Sequence, residues 1–298
     1  MFSFAKLLRY CFVAVLLSFV CAGMAQAQKW IKLAPFPEPS EEVYGVAAGG
    51  KFYVIGGLGP NWTSRGLTYE YDPATDKWSK KKPMALPAHH VAFTEFNGKI
   101  YVLGGFVATK SGPPGWDPVN NAWEYDPGND SWKALAPLPT KLGGAVAAAF
   151  NGRIYVIGGA GNHPGRDMPL ERPLPHRSLG TVHEYDPAKD QWATTKAPMP
   201  TPRSGAAWGT HGGRIYVAGG ELRNSRTSAT YRTVEAFDPA ANRWLTLPSM
   251  QFARHALAGD VIGNRLHLVS GDLASGGGPG AQVSTEAHEA LELDAGAR

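Results

Sequence analysis

The chain has 298 residues, 36 Gly, 24 Pro, 11% aromatic residues and a formal net charge of +4. Near-balanced charge argues against a nucleic-acid protein, which shows a basic stripe. Two cysteines, Cys11 and Cys21, both near the N-terminus, leave the rest of the chain without a disulfide or thiol chemistry.

The first element reads as a secretory signal peptide over residues 1–27. Lys6 and Arg9 give a positive start, Cys11 to Val20 is a short apolar run, and Ala25-Gln26-Ala27 is a small-x-small cleavage site. Cleavage after Ala27 takes the net charge from +4 to +2 by removing Lys6 and Arg9. It leaves residues 28–298 as one domain with no membrane span, periplasmic or secreted. The alternative, a lipid on Cys21, is disfavoured by bulky Val20 before it.

Then a repeat begins. Trp30, Trp78, Trp132, Trp192 and Trp244 are each followed by Gly56-Gly57, Gly104-Gly105, Gly158-Gly159, Gly219-Gly220 and Ser270-Gly271, at first-to-first spacings of 26, 26, 26, 27 and 26. An Asp lies six residues before Trp in four copies: Asp72, Asp126, Asp186 and Asp238; Asp294 is a worn fifth. Only the stretch from the second glycine to the Asp varies, at 15, 21, 27, 18 and 23 residues. A period near 50 with one elastic segment predicts a propeller or solenoid.

Each repeat reads as four strands, a to d. Strand a is apolar and small, as in Ala145 to Phe150. A tight turn such as Asn97-Gly98 or Asn151-Gly152 joins it to strand b. Strand b is β-branched and aromatic and ends at Gly-Gly, as in Lys99 to Leu103, Arg153 to Ile157 and Arg214 to Ala218. The elastic loop precedes strand c, and an Asp-Pro turn precedes strand d with its Trp. The five tryptophans are expected to pack between blades rather than stack on a ligand.

These residues resemble the kelch repeat: Gly-Gly ending strand b, an aromatic closing strand c, Trp on strand d. The resemblance covers residues 28–294 and implies an all-β fold, a β-propeller. Counting gives five blades. Trp30 lacks strands a to c before it, and the last repeat lacks strand d, so Trp30 is expected to pair with Leu291 and close the ring, leaving no sheet edge there.

Loop variation falls on one face, where binding residues concentrate. Counting back from each Gly-Gly reaches the d–a connections beside the central channel. They offer Glu41, Glu42, His89, His90, Arg203, Ser204, Arg254 and His255 around one mouth. The longest b–c loop adds His163, Arg166, Arg172, His176 and Arg177, and the blade-4 loop adds Arg223, Arg226 and Arg232. One reading is a site for an acidic ligand, since Arg forks suit carboxylates and Glu and His move protons. The other is that Arg203 and Arg254 bond backbone and the remaining charges are solvated. No short ligand spacing marks a metal site, and no cofactor is expected.

The resemblance leaves the activity open. A binding module for a protein or an acidic glycan, acting as a monomer, comes first, since fold does not fix function. A sugar mutarotase like the periplasmic kelch-type sialic-acid mutarotases is the alternative, though their catalytic residues find no one-to-one match here. A copper radical oxidase resembling galactose oxidase needs a Tyr-Cys crosslink, which residues 28–298 cannot supply. The iron motif of the nitrile-specifier proteins is also missing.

Overall fold

The computed structural model describes residues 31–38, 40, 42–60, 63–109, 116–162, 176–193, 196–224, 227–275 and 283–293. The chain divides into two compact units, Met1–Pro35 and Phe36–Arg298. Of the first, residues 31–35 are described; they form no strand, and Ile31 and Leu33 are exposed.

The second unit is a five-bladed β-propeller, with no α-helix among the described residues. Blade 1 is Tyr44–Ala48, Lys51–Ile55, Thr68–Asp72 and Lys77–Lys80. Blade 2 is Ala92–Phe96, Lys99–Leu103, Ala122–Asp126 and Ser131–Ala134. Blade 3 is Val146–Phe150, Arg153–Ile157, Val182–Asp186 and Gln191–Trp192, and blade 4 is Ala207–His211, Arg214–Ala218, Val234–Asp238 and Arg243–Leu247. Blade 5 has three described strands: Ala258–Ile262, Arg265–Val269 and His288–Glu292. Every neighbouring pair within a blade is antiparallel.

Apolar residues on both faces of strand b drive the stacking. One hydrophobic cluster fills each of the joints between blades 1 and 2, 2 and 3, 3 and 4, and 4 and 5. Ile100, Ile154, Ile215 and Leu266 open strand b and are wholly buried against the preceding blade. Phe52, the same position in blade 1, is 41% exposed. On blade 5 His267 stands where blades 1 to 4 carry buried Tyr53, Tyr101, Tyr155 and Tyr216, and Val269, on the same face, is exposed. The joint between blades 5 and 1 is thus built differently. The expected closing strand at Trp30 lies outside the described residues.

The strand-d tryptophans are joints between blades. Trp132 Nε1 donates to Lys82 O, Trp192 Nε1 to Ala136 O and Trp244 Nε1 to Ala197 O, at 2.8, 2.8 and 2.9 Å. The amides of those same three residues donate to Asp130, Asp190 and Asn242. Tyr125 and Tyr185 hydroxyls hold Asp130 and Asp190 in place. In blade 4 the strand-c aromatic is Phe237, which has no hydroxyl, and the carboxylate is replaced by Asn242. Aromatic and cap change together: Asn242 accepts from the Ala197 amide without needing a tyrosine hydroxyl to hold it.

The glycine pairs serve the next blade. Gly159 N donates to Arg203 O at 2.9 Å, and Gly105 N and Gly220 N bond Leu142 O and Arg254 O in the same way. A Cβ on Gly158, whose φ is +71°, would come within 2.7 Å of Arg203 O. Glycine is needed there for the close backbone approach.

Candidate functional site

The d–a connections carry three successive positions to the channel, and each position has one fate. The first is buried: Ala88, Leu142, Arg203 and Arg254. The second pairs with the elastic loop: His89, Gly143, Ser204 and His255 bridge Phe106, Ala160, Glu221 and Asp272. The third turns the backbone left-handed: Glu42, His90, Gly144, Gly205 and Ala256 have φ of 53°, 51°, 64°, 61° and 51°. Their backbones link across blades, Gly144 N to His90 O, Gly205 N to Gly144 O and Ala256 N to Gly205 O, at 2.8, 2.9 and 2.8 Å.

This inner ring is asymmetric. Gly and Ala at blades 3, 4 and 5 leave that side without long side chains, while blades 1 and 2 project Glu42 and His90. A non-glycine left-handed residue costs roughly 1–2 kcal/mol, and such positions cluster at functional sites.

The elastic loops start as short ribbons that wall the mouth. Phe106–Ala108 pairs with Trp116–Pro118, Ala160–Gly161 with Arg177–Ser178, and Glu221–Arg223 with Ser228–Thr230. Side chains tie them together. His176 Nε2 meets Trp116 O at 2.8 Å and its ring stacks on Phe106. Ser178 Oγ donates to Glu221 O and accepts from Arg223 N. Ser275 Oγ donates to a Glu221 carboxylate oxygen at 2.8 Å.

Within it lie Glu42, His89, His90, Trp116, His176, Glu221, Arg223 and His255. His90 Nε2 is 3.4 Å from Glu42 Oε2, and His255 Nε2 is 3.9 Å from Glu221 Oε2. His89 and His90 meet through their Nδ1 atoms at 2.6 Å. Burial, reinforced by neighbouring histidines, pushes His89 down to about 3. Burial, with His176, His255 and Arg223 nearby, pushes His90 down to about 4. His176 is lowered by burial as well, and burial raises the Glu42 carboxyl. Among the described residues no group of three His, Cys, Asp or Glu is arranged to hold a metal ion.

These histidines make the stability depend on pH. Their folded pKa values lie below 6.5, so the unfolded chain takes up protons first as the pH falls. The stability from neutral His89 and His90 is complete above 6.5 and lost as the pH falls towards 4, by about 1.4 kcal/mol per ring for each pH step of one. Glu42, raised by burial, acts in the opposite sense. The melting temperature is expected to fall between pH 6.5 and 4, and a flat profile there would contradict the buried neutral pair.

Arg203 and Arg254 are placed differently from the other site candidates. Arg203 is 1% exposed; its guanidinium donates to Val217 O at 3.1 Å and Thr201 O at 3.3 Å and pairs with buried Glu235 at 2.8 Å. Arg254, 0% exposed, repeats this in blade 5 with Leu268 O at 3.2 Å and Glu289 at 3.0 Å. Both bond the framework, as the second of the two sequence readings has it. Ser204 is buried beside Glu221, and Arg177 is exposed on its ribbon. Glu41, His163, Arg166, Arg172 and Arg226 lie outside the described residues. His176 and Arg223, basic loop residues in the sequence reading, lie in the site, and Trp116 and Glu221 join it although the repeat pattern does not point to them. Glu221 sits two residues after Gly219, a signal readable only once the loops are known to start as ribbons.

Blades, glycine pairs and inter-blade tryptophans define a kelch propeller, and the chain belongs to the kelch-repeat family. Residues 26–271 match the family model described as the KLHDC2/KLHL20/DRC7 Kelch-repeats domain. The chain is similar to Kelch-like protein terF of Aspergillus terreus, 26% identical over 254 residues covering 83% of this chain and 53% of that protein. It is also similar to Kelch-like protein 25 of Xenopus tropicalis, 30% identical over 268 residues, 85% of this chain and 41% of that protein. It thus spans about half, or less, of the length of these relatives. The solved structure of YjhT superimposes with a TM-score of 0.72 at 18% identity, covering 92% of this chain and 87% of that one. A likeness at that identity shows the fold. Among the described residues no helix is long and apolar enough to cross a membrane.

Proposed function

We propose that this kelch propeller is a binding module, and that its long-loop mouth seats a carboxylate-bearing ligand from an acidic glycan or a protein. One observation carries the reading: His89 Nε2, Arg223 Nε and His255 Nδ1, all at this mouth, are among the described buried polar atoms without a hydrogen-bond partner, which occur elsewhere in the blades too, as at His183. Such atoms are costly to leave unmet and mark sites where a ligand completes the bonding. Among the described arginines considered for the site, Arg223 offers the cation to an anion, since Arg203 and Arg254 are engaged with Glu235 and Glu289. By sequence, Arg166 and Arg172 with Arg177 add positive charge to the longest loop, which favours approach of an acidic partner.

Calorimetry with N-acetylneuraminic acid and with a Glu-rich peptide tests this. Arg223→Ala should weaken binding by about 1.5–3 kcal/mol, the range for a hydrogen bond to a charged group. Equal affinity of the variant and the parent protein would sink the assignment.

A second reading, mutarotation of a sugar, is favoured by the Glu42–His90 contact, which pairs an acid with a base. Anomer exchange of sialic acid and of hexoses, followed by NMR, separates it from binding alone. The site is assigned to an exported protein acting as a monomer, cleaved after Ala27; the intact mass of the exported chain tests the cleavage.

A further inference from the structure

We propose that Glu42 decides whether the mouth admits an anion: as a carboxylate it opposes an acidic ligand, as a neutral acid it accepts one, so the ligand enters together with a proton taken from solvent. The inference rests on the carboxylate reading of the mouth and adds its regulation.

The charges at the rim motivate it. Among the described side chains within the mouth, Arg223 is the one permanent cation, while Glu42 and Glu221 are both acidic. Burial keeps His89, His90 and His176 from carrying charge. Any charge on His255 is matched by Glu221, 3.9 Å away. With Glu42 ionised, the mouth therefore offers an anion no net positive charge. One proton on Glu42 shifts the balance by a full unit towards the ligand.

Glu42 is also the acidic group that an incoming ligand meets. Its side chain is 37% exposed, against 12% for Glu221, which Ser275 already holds. The ring positions of blades 3 to 5 carry only Gly144, Gly205 and Ala256, so the space beside Glu42 is not taken by long side chains.

Glu42 is faced by His90 at 3.4 Å, by the Tyr44 hydroxyl, and by His255 and Glu221. His90 is in turn faced by His89, His176, His255 and Arg223, and His176 by Arg223, Asp117 and Glu221. Burial already holds the Glu42 carboxyl above its ordinary value, with Glu221 adding to the shift and His255 and Tyr44 opposing it. A ligand carboxylate in the same space is a further like charge and raises Glu42 again. The proton passes from water or a buffer acid to the exposed Glu42 carboxylate, leaving the conjugate base in solution. No bond of the ligand changes, and the proton returns to solvent on release.

The complex thus holds more protons than the empty protein. Affinity is full below the Glu42 value of the empty protein. It falls as the pH rises towards the value in the complex, by up to about tenfold for each pH step of one, and is flat beyond.

Calorimetry with N-acetylneuraminic acid, in two buffers of different ionisation enthalpy, tests this between about pH 5 and 8, where a carboxyl as acidic as an α-carboxyl stays ionised. The heats should differ between the buffers, reporting uptake of close to one proton where the affinity changes most. Glu42→Gln should bind more tightly than the parent protein at the top of the range and lose both the buffer difference and the pH slope. Glu42→Gly suits the left-handed backbone at φ 53° and copies Gly144 and Gly205, so it gives the same test should the first variant fail to fold. Affinity independent of pH, with equal heats in both buffers, would overturn the coupling and leave the carboxylate reading standing. Undiminished proton uptake in the variants would hand the proton to the histidines and overturn the role of Glu42. No heat at any pH in either buffer would remove the carboxylate reading and this inference with it.

Discussion

Arg203→Ala is expected to destabilise the propeller by about 3–5 kcal/mol, the cost of removing one partner of a buried ion pair. Glu235 is itself buried and would be left without its counter-charge, while Val217 O loses a donor. Because Arg203 O also receives Gly159 N, the disturbance falls on the joint between blades 3 and 4. The paired change Arg203→Met with Glu235→Leu should recover most of the loss, since a well-packed apolar pair commonly replaces a buried ion pair without penalty. Arg254→Ala should cost less, because Glu289 is 24% exposed and can turn to water. Urea unfolding of the three variants checks this. An unchanged midpoint for Arg203→Ala would remove the arginine from the framework and return it to the ligand-facing groups.

The second large effect concerns ring closure. Deleting residues 28–35 is expected to lower the melting temperature sharply, because the deletion takes away the strand proposed to complete blade 5. Removing a buried aromatic costs about 3–5 kcal/mol by itself, and the repeat pattern expects Trp30 to be one. The described residues supply the motive: blade 5 has three described strands where the others have four, and Phe52 is exposed where blades 2 to 5 bury Ile100, Ile154, Ile215 and Leu266 at the same strand-b position. A melting temperature indifferent to the deletion would show that another arrangement holds this joint.

Much of the architecture is readable because its causes are local and repeated. The glycine pairs, the Asp–Trp interval and the period-2 strands recur at fixed spacing, so blade boundaries are close to those expected. The d–a register is readable too: counting back from Gly-Gly places Glu42, His90, Gly144, Gly205 and Ala256 in equivalent positions, and all five are left-handed. The destination of the arginines cannot be read from a single sequence. Whether Arg203 faces a ligand or a carbonyl depends on Glu235, a residue 32 positions on that no local pattern connects to it. The meeting of His89 with His90, and of His255 with Glu221, likewise depends on ring geometry set by several blades at once. Trp116 and Glu221 escape the pattern because they stand in elastic loops, where the repeat that guides the eye is absent.

If the mouth seats the ligand while the strand-d tryptophans and buried arginines hold the blades, ligand must perturb the first set of side chains and leave the second alone. The most direct measurement is an NMR titration with N-acetylneuraminic acid, following the indole N–H signals and the histidine rings. Saturable shifts at Trp116, His90 and His255, with Trp132, Trp192 and Trp244 unmoved, are the predicted result. Shifts confined to the inter-blade indoles, or to the short turns around Asn151 and Gly152 on the opposite face, would contradict it.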